Sequence, residues 1–74
     1  MKMRKESYEN LKRLVLVHHS EELYRKYKDA GLSDERYRWD LLHRSGFNTS
    51  VLYAEDLNDD HIDTALRRIT NTKI

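Results

Sequence analysis

Residues 21–46 read "EELYRKYKDAGLSDERYRWDLLHRSG", and they decide the fold because one set of start and stop signals occurs in them twice. Ser20, just ahead, and Ser33 are good N-caps, since a serine hydroxyl can accept an orphan backbone N–H. Glu21-Glu22 and Asp34-Glu35 follow them and set negative charge at the positive end of each helix dipole. Gly31 and Gly46 close the two segments, because glycine enters the left-handed region that helix C-termini favour. The pattern predicts helices over 21–30 and 34–45, joined as a hairpin. In the first, Leu23, Tyr27 and Ala30 line one face.

Outward from the hairpin, Tyr8, Leu11, Leu14, Val15 and His18 recur at the spacings of one helical face, predicting a helix over 7–18. The run Leu14 to Val17 would also suit a buried strand, but no second run could pair with it. A fourth helix is expected over 59–70, with Ile62, Ala65, Leu66 and Ile69 as its apolar stripe. Between helices three and four, a short turn at 51–54 is expected, with Phe47, Val51, Leu52 and Leu57 as core plugs. The expectation is an all-α fold, a small single domain of about four helices over 1–74.

Composition agrees. A chain of 74 residues is one domain with a thin core. It has no cysteine, so neither disulfides nor cysteine metal sites can staple it. With 14 basic and 13 acidic side chains, no overall field demands nucleic acid or a membrane. No apolar run approaches the roughly 20 residues of a membrane span. The run after the basic N-terminus is too short for a signal-peptide core of about 7–15 residues, so a cytoplasmic protein is expected.

Candidate chemistry centres on "DLNDDHIDTALRR", residues 56–68, where four aspartates surround His61. On a helix each residue advances about 100°, which places His61 roughly 160° from Asp63. Side chains that point apart do not hold one ion. Asn58 or Asp59 is expected to cap the helix, the other acids to favour its dipole, and Arg67 to pair with Asp63. His18 and His19 are adjacent and diverge, and His43 is alone. No catalytic residues, cofactor or metal are therefore expected.

Helix three holds a conflict. Tyr37, Trp39, Leu41 and Leu42 span an apolar arc of roughly 200°, wider than one core stripe, with Arg38 near its middle. Either Arg38 is buried against an acid, or the arc serves two surfaces. A partly exposed Trp39 beside arginine has the composition of a binding hot spot, and a core plug is the plainer alternative.

Charge is also uneven. Residues 1–46 carry 11 basic and 8 acidic groups, whereas 47–66 carry five acids and no lysine or arginine. A surface combining Arg36, Arg38 and Trp39 with Glu55, Asp56, Asp59 and Asp60 is the expected partner-binding site. His61 is expected to touch another helix or the partner. Two alternatives stand beside this. Residues 21–45 have the outline of a helix-turn-helix, which would bind DNA through Lys28, Arg36 and Arg38. Against it, Asp34 and Glu35 would meet phosphate, and Asp40 fills a position such motifs give to an aliphatic. The other alternative is a structural homodimer.

With Gly31-Leu32-Ser33-Asp34, Arg36-Tyr37, Trp39-Asp40, Leu52-Tyr53 and Leu57 through Arg67 in view, the chain resembles a group of small proteins encoded by bacteriophages and prophages. The likeness covers roughly residues 20–69. Between Tyr53 and Leu57 this chain has Ala-Glu-Asp where the pattern holds an aromatic. The resemblance implies no catalytic role. It implies an accessory protein of the host cytoplasm that binds and redirects or inhibits a host protein, including defence systems such as CRISPR complexes.

Overall fold

The computed structural model describes residues 3–71, in which five helices follow one another: α1 Lys5–His18, α2 Glu21–Asp29, α3 Asp34–Ser45, α4 Ser50–Tyr53 and α5 Asp59–Asn71. The all-α class holds, and the run Leu14–Val17 lies in helix. The hairpin forms through its caps. Ser20 Oγ accepts from Leu23 N at 3.0 Å, and Ser33 Oγ accepts from Arg36 N at 3.1 Å. Gly31 has φ +77°, and around it Leu32 N reaches Tyr27 O while Gly31 N reaches Lys28 O. Those two bonds are the paired closure of a Schellman motif.

α3 is the central helix and packs against both α1 and α5. Leu11 and Val15 of α1, Tyr37, Leu41 and Leu42 of α3, and Ile62, Leu66 and Ile69 of α5 form the core, plugged by Leu52 and Leu57. Each such side chain contributes about 1.5–3 kcal/mol by leaving water. Truncating Leu41 to alanine would cost about 2–5 kcal/mol, because the cavity adds to the lost transfer energy.

The conflict in α3 resolves through Arg38. It is buried, and its Nε and Nη2 each donate to one carboxylate oxygen of Asp63 on α5, both at 3.0 Å. The apolar arc therefore stays on one core, with a neutralised cation in its midst. Arg67 also approaches Asp63, at 3.5 Å, as the spacing of four predicts.

α2 buries none of its residues. Tyr24 and Tyr27 set their ring edges on Tyr37, each with centroids 5.2 Å apart. Ala30 is exposed, contrary to the expected face, because the helix ends at Asp29 and Ala30 already belongs to the cap. The Tyr37 hydroxyl lies 2.6 Å from His19 Nδ1 and donates to Ser20 O at 3.1 Å, which pins the joint between α1 and α2. Burial pushes this phenol above its ordinary pKa.

Two other expected core positions differ. His18 is exposed, and Ser7 is buried in its place on the α1 face. Val51 is 49% exposed. Its neighbour Leu52 points inward, and adjacent helical residues diverge by about 100°.

Candidate functional site

The acidic segment is shaped by the turn that joins α4 to α5. Leu57 N reaches Leu52 O and Asp56 N reaches Tyr53 O, the same paired closure that ends α2. Here the left-handed position belongs to Asp56, at φ +62°. Asn58 then caps α5. Its Oδ1 accepts from His61 N at 3.0 Å, and its own N–H donates to His61 Nδ1 at 3.2 Å. This reciprocal pair is a capping box in which an imidazole stands where glutamate or glutamine is usual. His61 is thus held by the first turn of its own helix, not by another helix.

The same turn puts three carboxylates on one exposed edge: Asp56, Asp59 and Asp60. Among the described residues, none of the three pairs with a lysine, arginine or histidine. Asp59 instead accepts from the Tyr53 hydroxyl at 2.5 Å, a bond that holds the phenol above its ordinary pKa. Tyr53 and Val51 are both about half exposed; Tyr53 adds apolar surface to the edge, whereas Val51 lines a separate groove with Arg4, Glu6 and Phe47. Sequence reasoning did not select these two. The signal was there: if Leu52 plugs the core from a single turn, its two neighbours face outward.

Glu55 does not belong to this edge. Its side chain is only 8% exposed; it accepts from the Ser7 hydroxyl and from Arg4 N, and the Arg4 guanidinium lies near it. These bonds fasten the first turn of α1, which starts two residues earlier than its periodicity suggests. Arg38, buried against Asp63, is likewise a fold residue rather than a displayed one. Arg36 is exposed but sits 3.3 Å from Asp40, and Trp39 is half buried against the core. No hydrogen bond or ion pair among the described residues joins Arg36 or Trp39 to the acidic edge.

Among the described residues, Arg25, Lys26, Lys28, Arg36 and Arg38 of the hairpin each meet a carboxylate, whereas Arg44 does not. Lys28 pairs with Asp34 at 2.5 Å and lies over the Tyr24 ring, 5.3 Å from its centroid. Asp34 is held below its ordinary pKa by that lysine. Asp40, which meets Arg36, is held down first by the 2.6 Å bond from the Tyr27 hydroxyl.

Beyond the edge, a groove of about 600 Å³ runs between the start of α1 and α5. Met3, Tyr8, Leu57 and Ala65 give it apolar walls, and Lys5 and Arg68 flank it. Among the described residues, no three histidine, aspartate or glutamate side chains converge as a metal site would require, and no helix is long and apolar enough to cross a membrane. No family model, no curated protein and no solved structure matches the chain.

Proposed function

We propose that the protein works by protein–protein contact, without catalysis, as a phage-type accessory protein that binds a basic surface on a host protein in the host cytoplasm. The observation that carries this reading is the unneutralised edge of Asp56, Asp59 and Asp60, with the half-exposed Tyr53 beside it. Charged groups of one sign around an exposed aromatic suit a partner of opposite charge. Asp56 strengthens the case. An aspartate held at positive φ sits where glycine would be less strained, and strain retained at a surface position points to a use for the side chain.

A host surface rich in lysine and arginine is often one that holds nucleic-acid phosphates. An acidic edge competes for such a surface, which gives inhibition of a nucleic-acid-guided defence complex a physical route. The phage setting itself is supported by the resemblance of residues 31–40 and 57–67.

The test is recovery of host proteins with a tagged chain and with an Asp56→Asn, Asp59→Asn, Asp60→Asn version. The expected result is a basic partner recovered by the first and lost by the second. The same partner recovered by both would sink the proposal. The DNA-binding alternative is disfavoured because Lys28, Arg36 and Arg38 each already hold a carboxylate. No retention of duplex DNA is expected even at about 50 mM salt, where counterion release most favours binding.

A further inference from the structure

The groove between the start of α1 and α5 is built by spacing on the two helices. On α1, Lys5 and Tyr8 are three apart and share a face; on α5, His61, Thr64, Ala65 and Arg68 fall within about 100° of one another. The walls between them are apolar, with Met3 and Tyr8 half buried on the α1 side and Leu57 and Ala65 buried on the α5 side. The volume, about 600 Å³, lies within the roughly 300–1,000 Å³ of small-molecule sites.

The charges in this lining are all of one sign. Among the described residues, Lys5 and Arg68 meet no carboxylate, and no aspartate or glutamate lines the groove. Lys12, Arg13 and Arg44 also lack a carboxylate partner, but they do not line it. His61 adds a donor. Asn58 N bonds its Nδ1, so the neutral ring carries its proton on Nε2, which has no hydrogen bond among the described residues. An apolar trough with two unpaired cations and one N–H donor is complementary to an apolar molecule that ends in an anion.

We propose that this groove binds an aliphatic carboxylate, a fatty-acid-like molecule whose chain lies along Tyr8, Leu57 and Ala65 and whose headgroup is drawn to Lys5 and Arg68. From His61 to Arg68 the face runs about 10 Å, which suits a medium-length alkyl chain rather than a protein segment, whose interfaces reach much further. The site is separate from the proposed host contact: Asp56, Asp59 and Asp60 do not line it.

The experiment is a titration of the full chain with decanoate, read by amide NMR shifts. Decyltrimethylammonium (same chain, opposite charge) and acetate (same headgroup, no chain) are the comparison ligands. Saturable shifts at Tyr8, Leu57, His61 and Ala65 are expected with decanoate, with a dissociation constant below about 1 mM, and none with acetate. Lys5→Glu with Arg68→Glu should weaken decanoate at least about tenfold and make decyltrimethylammonium the better ligand. Lys5→Arg with Arg68→Lys should bind as the parent does. Thr64→Trp fills the groove from its exposed rim and should abolish binding, with unchanged helical circular dichroism as the folding control. Decanoate that leaves these amides unshifted overturns the proposal, as does equal affinity for both decyl ligands or indifference to charge reversal. Shifts of the same amides on dilution alone would give the groove to a second copy. Shifts only with an acidic, leucine-rich peptide would give it to a protein, and either result overturns the proposal too.

Discussion

Asn58 and His61 bond each other twice across the first turn of α5, side chain to backbone in both directions. Because His61 Nδ1 accepts, the ring proton of the neutral side chain sits on Nε2. The consequence for stability is specific. Replacing His61 by glutamine, which serves the same box elsewhere, should leave the protein within about 0.5 kcal/mol of the parent. Replacing His61 by alanine should cost about 0.5–1 kcal/mol, and Asn58→Ala about 1 kcal/mol. Urea unfolding of the single and double variants checks this: the two alanine losses should not add, since either one breaks the shared pair.

The Arg38–Asp63 pair predicts an asymmetry between breaking and replacing. Asp63→Asn or Arg38→Ala leaves a charge or its donors buried without a counterpart, which costs about 3–5 kcal/mol. The joint replacement Arg38→Met, Asp63→Leu should come back close to the parent, because a desolvated ion pair adds little over well-packed apolar side chains. Equal losses in all three variants, measured by denaturant midpoint, would contradict the assignment.

The hairpin should respond to acid through Asp40. Its folded pKa lies below the ordinary 3.8, held there by the Tyr27 hydroxyl and then by Arg36. A depressed pKa contributes stability that is complete above the unfolded value and lost as pH falls through the folded one. Asp40→Asn should therefore cost about 0.5–1 kcal/mol at pH 7, a modest amount because the side chain is partly solvated. In acid strong enough to protonate Asp40 in the folded protein, below its ordinary 3.8, the difference between variant and parent should vanish. Thermal melts of both proteins at the two pH values decide it; a constant difference would rule out a role for the charge.

Asp56 separates stability from binding. At φ +62° an aspartate is tolerated with some strain, whereas glycine is at ease. Asp56→Gly should leave stability unchanged or raise it by up to about 1 kcal/mol. The same change should weaken capture of the basic partner. Loss of both stability and capture would mean the side chain serves the turn, not the partner.

What was legible in the chain was local. Ser20, Gly31, Ser33 and Gly46 act on residues within four or five positions, and the hairpin ends fall where they place them, with α2 one residue shorter. The partner of Arg38 was not legible, because Asp63 lies 25 residues away and only the packing of α3 on α5 selects it. Glu55 was misplaced for the same reason: its contact with Ser7 spans 48 residues. Its charge looked like part of an acidic surface until α1 closed over it. The capping role of His61 was missed for a different reason. Its partner is three residues away, but the familiar capping pattern carries glutamate or glutamine, so the imidazole did not advertise the box.

The attachment of α2 sets the order in which the native state comes apart. A helix that buries nothing of its own, and rests on the rest of the protein through tyrosine rings and surface bonds, has little to lose on detaching. Its amide hydrogens should exchange with solvent far faster than those of α3, through a subglobal opening in which α1, α3 and α5 stay assembled. Trypsin, given Arg25, Lys26 and Lys28 in that segment, should then nick the native protein there first.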